Sequence, residues 1–204
     1  SYNTAVGHFA GYDLTSGSEN VFIGSFAGDN ISTGIRNVAI GYSALGNEDA
    51  HGGNIALGYE ALKLNTTGAA NTAHGSMSLR MNTTALKVQD AGTNAYNTAL
   101  GYQAGLGIST GVENVLIGRN AGDVITTGSY NVGIGGHSLG TATTNSNNVA
   151  VGYGSMSSTE FSAKNVAVGS NALQNITHGS STDTYNTAVG YNAGINVSSG
   201  IRNT

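Results

Sequence analysis

The residues of this chain that could do chemistry are few and far apart. Its five histidines, His8, His51, His74, His137 and His178, form no His-x-His pair and no H-E-x-x-H motif. The eleven acidic residues are scattered, whereas a calcium-binding nonapeptide solenoid needs a regular Asp column. The segment Gly105–Gly111, GLGISTG, has the glycines of a phosphate loop but lacks its lysine and its strand-to-helix setting. Absence of cysteine removes disulfides, thiol nucleophiles and thiolate-bound metal together. The expectation is a chain that is not an enzyme, with no catalytic, cofactor-binding or metal-binding residues and no cofactor. Five asparagines stand in glycosylation sequons (Asn30, Asn65, Asn82, Asn175 and Asn196), but all fall in the same turn of a repeating coil, and repetition explains them first.

That repeat is the dominant signal. The phrase NTAVG at Asn3 returns as NVFIG, NVAIG, NIALG and NTAHG at Asn20, Asn37, Asn54 and Asn71. It continues from Asn97, Asn114, Asn131, Asn148, Asn165 and Asn186, and the chain stops two letters into another copy at Asn203. Most intervals are 17 residues; the two exceptions are 26 residues from Asn71 to Asn97 and 21 from Asn165 to Asn186. A fixed short period with occasional surplus is how stacked coils appear in sequence. Seventeen residues suit two short strands and two turns, so the predicted fold is all-β, a parallel β-solenoid or β-roll.

Each column has a physical reading. The residue after the Asn is β-branched in every copy, and the residue two further on is Val, Ile or Leu except at His74. Residues two apart share a strand face, so both columns are expected to line the coil interior, with His74 a buried neutral imidazole. His8 lies in a variable column and reads as a surface residue. The invariant Gly suggests a conformation or a close approach that a Cβ would obstruct. The invariant Asn, at 3, 20, 37, 54, 71, 97, 114, 131, 148, 165 and 186, is expected to form a stacked amide ladder.

The middle letter of the phrase is never polar: Ala5, Phe22, Ala39, Ala56, Ala73, Ala99, Leu116, Gly133, Ala150, Ala167 and Ala188. With the β-branched columns inside, this column faces out, and a strand apolar on both faces is usually covered on both. The expected oligomer face is therefore Ala5, Phe22, Ala39, Ala56, Ala73, Ala99, Leu116, Ala150, Ala167 and Ala188. Stretches such as ISTG and ITTG, ending at Gly34, Gly111 and Gly128, read as a short second strand closed by a turn. Their Ser/Thr residues are adjacent rather than alternating, which disfavours the flat threonine array of an ice-binding solenoid.

Both long intervals end a fifth coil and resume with Tyr-Asn-Thr-Ala, at Tyr96 and Tyr185. The chain thus reads as one repeat domain, 1–204, of five-coil super-repeats at about 3–96 and 97–185 with a partial third at 186–204. Loop insertions are expected at about 85–94 and 179–184, with Lys87, Gln89, Asp90 and Asp183 as candidate surface contacts. The outward aromatics Phe9, Phe26, Tyr42, Tyr59, Tyr102, Tyr153 and Tyr191 could add contacts to glycans or protein. A net charge of −4 with seven scattered Lys and Arg leaves no basic patch for nucleic acid. No apolar run approaches the roughly 18 residues of a membrane span, and no signal peptide is visible. The chain begins and ends in mid-repeat and reads as a segment of a longer fibre.

The phrase NVAIG or NTAVG, followed by small residues and a Ser/Thr-Gly turn, resembles the head repeats of YadA-like trimeric autotransporter adhesins. The longer form NTAVGYNAG…SSGIRNT looks like the repeat shafts of phage tail fibres. The resemblance covers essentially the whole chain. It implies a left-handed β-roll in a homotrimeric rod, whose job is cell-surface attachment from an extracellular, cell-surface or virion location. A glycan or protein receptor is the implied partner, with no nucleic acid and no membrane insertion. An ice-binding solenoid or another extracellular filament without a receptor role is the alternative.

Overall fold

In the computed structural model, which describes residues 2–47, 51–66, 68–80, 95–197 and 200–204, the Asn phrase forms one parallel sheet. Its strands are β1 (Thr4–Val6), β2 (Val21–Ile23), β3 (Val38–Ile40), β4 (Ile55–Leu57), β5 (Thr72–His74) and β6 (Thr98–Leu100). They continue as β7 (Val115–Ile117), β8 (Val132–Ile134), β9 (Val149–Val151), β11 (Val166–Val168) and β13 (Thr187–Val189). Each pairs in register with the next, so Ala39 lies against Ala56 and Val149 against Val166. Ten steps of about 4.8 Å make the sheet roughly 48 Å long. A second sheet holds only β10 (Glu160–Ala163) and β12 (Thr177–Asp183), also parallel. Among the described residues every regular element is a strand, and the fold is an all-β solenoid.

Among the described residues the expected second strand forms in two coils only, as β10 and β12. The Ser/Thr-Gly stretches run as bends, because their hydroxyls and amides bond the coil above without strand geometry. Thr15, Ser109 and Thr126 each donate their hydroxyl to a carbonyl 17 residues on, at 3.0–3.1 Å.

The interior is the reverse of the sequence expectation. Ala39, Ala56, Ala73, Ala150 and Ala167, with Phe22 and Leu116, are fully buried inside the single chain. They cannot be an oligomer face. Ala5 and Ala188 of the same column, in the outermost coils, are exposed and half-buried. The β-branched columns point outward and are half-buried or exposed, as at Ile23, Ile55, Leu100 and Ile134. His74, predicted inside, is exposed with them. The physical reason is the thinness of the coil. The Asn turns inward to hydrogen-bond, so the residue two further on turns inward with it, and the narrow interior favours Ala there.

Counting the Asn as position 1, the core is completed by Ala or Ser at position 8 and by positions 9 and 12. The sizes of positions 3 and 9 compensate. A Cβ on Gly11 would lie 2.8 Å, and one on Gly28 2.7 Å, from the Phe22 ring. A Cβ on Gly122 would lie 2.7 Å from Leu116. Coils with Ala or Gly at position 3 away from these large residues place Leu45, Leu62, Leu79, Leu139, Met156 or Leu173 at position 9, all buried. The order runs two glycine coils and then three Leu/Met coils, twice, and Gly194 begins it again.

The turns are tight. Non-glycine residues at positions 7, 9 and 17, such as Phe26, Leu45 and Arg36, take φ between 46° and 62°, at roughly 1–2 kcal/mol each. Backbone bonds to adjoining coils hold them, as from Phe26 N to His8 O at 2.9 Å and from Leu45 N to Ala61 O at 2.9 Å. Position 5 is glycine for two reasons at once. At Gly24 φ is 129°, and an added Cβ would meet the Gly41 carbonyl oxygen at 2.7 Å.

Candidate functional site

The Asn column forms a continuous internal ladder. The backbone N–H of Asn148 donates to Asn131 Oδ1 at 3.0 Å, and Asn165 to Asn148 Oδ1 at 3.0 Å. The step continues across both long intervals, from Asn97 N to Asn71 Oδ1 at 3.2 Å and from Asn186 N to Asn165 Oδ1 at 2.9 Å. In most coils Nδ2 also reaches the turn of its own coil, as from Asn97 to Gly111 O at 2.8 Å, whereas Asn165 Nδ2 turns back to Ala163 O at 3.1 Å. At Asn54 the turn differs: Gly68 O accepts from Asn65 Nδ2 at 2.7 Å, and Asn54 Nδ2 is buried without a partner. The ladder is structural, because its buried amides, Asn54 Nδ2 apart, are committed to one another and to the turns.

Two surfaces remain. One is the outward face of the main sheet, with Val21, Val38, Ile55, Val115, Val132, Val149 and Val166 in one column and Ile23, Ile40, Leu57, Ile117, Val151 and Val168 in the other. The other is the edge just beyond the position-5 glycines, where positions 6, 7, 10 and 11 vary freely. Here His8, Phe9, Phe26, Tyr42 and Tyr59 form a ladder of rings. Phe9 and Phe26 stack at 5.7 Å, and Tyr42 and Tyr59 at 5.5 Å with 12° between planes.

Further along the edge the ladder becomes polar. Glu60 accepts from Lys63 at 2.6 Å and from Arg80 at 2.7 Å. The Lys63 ammonium, with Arg80, holds its carboxyl below the usual range against the effect of burial. Asn120 donates to Gln103 at 3.0 Å and to Asp123 at 2.8 Å, and Arg119 contacts His137 at 2.6 Å. Asn175 of a sequon donates to Asn196 of another at 3.0 Å.

Of the predicted surface contacts, Lys87, Gln89 and Asp90 lie outside the described residues, as does the whole of 85–94. The segment 179–184 is no free loop: most of it extends β12 along β10. Asp183 ends that strand and accepts from Lys164 Nζ at 2.6 Å and from the Tyr185 hydroxyl at 3.2 Å. The Lys164 ammonium lowers its pKa, and the Tyr185 hydroxyl adds to the effect. Among the described residues, no three His, Cys, Asp or Glu side chains are gathered as metal ligands would be.

Sequence reading noted the aromatic residues singly and missed their assembly. The signal was available, since residues 17 apart in a solenoid are stacked neighbours: Phe9 and Phe26, and Tyr42 and Tyr59. Comparison with protein-family models, curated proteins and solved structures finds no match to this chain.

Proposed function

We propose that the chain is the shaft and adhesive segment of an extracellular or virion fibre, assembled as a homotrimer, that mediates attachment to a cell surface. The observation that carries this reading is the outward face of the main sheet. Eleven in-register strands present two aliphatic and β-branched columns to solvent along the rod. Parallel sheets are ordinarily covered on both faces, and a largely apolar stripe of this length, broken in its middle by Thr72, His74 and Thr98, marks an interaction surface. A second and third copy of the same rod would supply a cover of matching length and repeat. The polar, variable edge would stay at the surface of the assembly and hold whatever contacts the fibre makes. Resemblance of the Asn phrase to trimeric adhesin heads and phage fibre shafts supports the same assignment. The hydroxyl column of Thr15, Ser109 and Thr126 disfavours ice binding, because those hydroxyls already bond carbonyls of the next coil.

Sedimentation equilibrium tests the assembly, and binding of the labelled chain to intact cells tests the attachment. The expected results are a single species of three times the chain mass and saturable binding. A folded monomer at micromolar concentration would overturn the first part, and absence of binding across a broad panel of bacterial and animal cells the second.

A further inference from the structure

Around a lateral groove of about 260 Å³ between the first two coils, Phe9, Tyr12 and Phe26 meet Asp13, Asp29 and Asn30. Phe9 and Phe26 stack, and Tyr12 stands edge-on to Phe9 at 4.7 Å and 90°. Three rings therefore line the groove, two stacked on each other and one set at right angles to Phe9. Its rim is acidic. Glu60 and Asp183 are neutralised by lysine or arginine, but Asp13 and Asp29 have no ion-pair partner among the described residues. Burial pushes the Asp29 carboxyl above its ordinary range and Asp13 pushes the same way, while its own backbone, that of Asn30 and the more distant Lys63 ammonium oppose this. Hydroxyl donors from a ligand would relieve that strain.

We propose that this groove is a binding subsite for a single neutral pyranose sugar. The inference rests on the reading of the chain as an attachment segment and names what that segment would recognise. The C–H face of a pyranose is weakly positive and apolar, and it settles on the negative face of an aromatic ring. The hydroxyls at the sugar's rim are donors, and ionised carboxylates are acceptor-only groups that take them in charge-assisted bonds. The same two carboxylates repel sialic acid, uronic acids and phosphorylated sugars, so the ligand is neutral. The groove is below the roughly 300–1,000 Å³ of pockets for drug-sized ligands, which suits one ring of a longer glycan. All six residues lie on the variable edge, off the outward face of the sheet.

The experiment is saturation-transfer NMR on the intact chain with methyl α-mannoside, methyl β-glucoside, methyl β-galactoside, N-acetylglucosamine and sialic acid. Cell binding is measured in parallel. Phe9→Met and Phe26→Met remove the rings while keeping a residue that position 7 already accepts, since Met77 stands there with φ of 57°. Asp29→Asn removes the charge, and Tyr153→Ser, on the same edge seven coils beyond the groove, is the control. The expected result is millimolar binding of at least one neutral sugar and none of sialic acid. Loss of at least tenfold in affinity in each Phe variant, weakening in Asp29→Asn and no change in Tyr153→Ser should follow. Absence of neutral-sugar binding, equal binding of sialic acid, or binding unaffected by both Phe variants would overturn the proposal. Cell binding without any sugar binding overturns the subsite and leaves attachment standing. Sugar binding without cell binding does the opposite.

Discussion

Asn114 Oδ1 accepts two hydrogen bonds from Asn131, one from its backbone N–H at 3.0 Å and one from its Nδ2 at 3.1 Å. Asn131 Nδ2 also donates to Asn145 O at 2.8 Å, and Asn131 Oδ1 accepts from the Asn148 backbone at 3.0 Å. One side chain thus ties three consecutive coils and its own turn. Asn131→Ala keeps its own backbone bond to Asn114 Oδ1 but removes the side-chain bonds, and it leaves the buried Asn148 N–H without its acceptor. A loss of about 2–4 kcal/mol is expected, read as a lowered urea midpoint.

The core offers a second test in the pair Leu116 and Gly122. Leu116→Ala should cost about 2–5 kcal/mol by opening a cavity. Gly122→Leu alone should also destabilise, since its Cβ would lie 2.7 Å from both Leu116 and the end of the Ile125 side chain. Combined, the two changes recreate beside Ile125 the arrangement of Ala167 with Leu173 and Ile176, all buried in their coil. The double variant should recover most of the loss, and a double-mutant cycle in urea measures the coupling.

Inside and outside separate by charge. Ala150→Glu places an unpaired carboxylate at a fully buried site and should cost about 3–5 kcal/mol or more. Ile134→Lys lies on the outward sheet face. It should leave monomer stability within about 0.5 kcal/mol while breaking the proposed trimer. Circular dichroism melts and sedimentation together read the two effects. Intact trimer in Ile134→Lys would mean that copies do not meet on this face.

Much of this fold is legible in the sequence. The 17-residue spacing locates each strand of the main sheet, and the invariant Asn and Gly announce a ladder and a close approach. Which face is inside is legible too, but not through residue size. Val and Ile look like core and Ala like surface, whereas here the thin coil reverses them. Two signals point the right way. A buried Asn forces the residue two further on to the same side, and the column that never admits a polar residue is that of Ala39, while the outer columns admit Thr72 and His74. The aromatic groove is half legible: Phe9 with Phe26 and Asp13 with Asn30 are each 17 apart and so stack, but the edge-on setting of Tyr12 against Phe9 needs side chains in place. The course of β12 along β10 depends on that three-dimensional register as well.

Acid should loosen the polar stretch of the edge first. The Glu60 carboxyl is held below its ordinary value by Lys63 and Arg80. A depressed folded pKa contributes stability that is complete above the unfolded value, about 4.3 for Glu, and is lost as pH falls through the folded one. The melting temperature should therefore fall as pH drops below about 4. Glu60→Gln should begin lower at neutral pH and lose less over that window. Parallel melts between pH 3 and 7 check both slopes.

The unit of length is five coils rather than one. Removing the single coil 114–130 preserves strand register and the Asn ladder, since it deletes a full 17-residue period. It also removes Leu116, the side chain that fills the space beside Gly105 and Gly133. The rejoined coils would set Ala99 and Gly105 against Gly133, and the resulting cavity should cost about 2–5 kcal/mol. Removing residues 97–185 instead joins the coil of Leu79 to that of Ala188 and Gly194. That junction repeats the native one, in which Leu79 lies beside Ala99 and Gly105. Every size match in the core is then retained. Because a solenoid's stability is close to a sum of coil and neighbour terms, the five-coil deletion should melt cooperatively near the parent temperature despite losing far more chain. The one-coil deletion should melt lower. Equal melting temperatures for the two deletions would show that compensation between positions 3 and 9 does not govern how the coils stack.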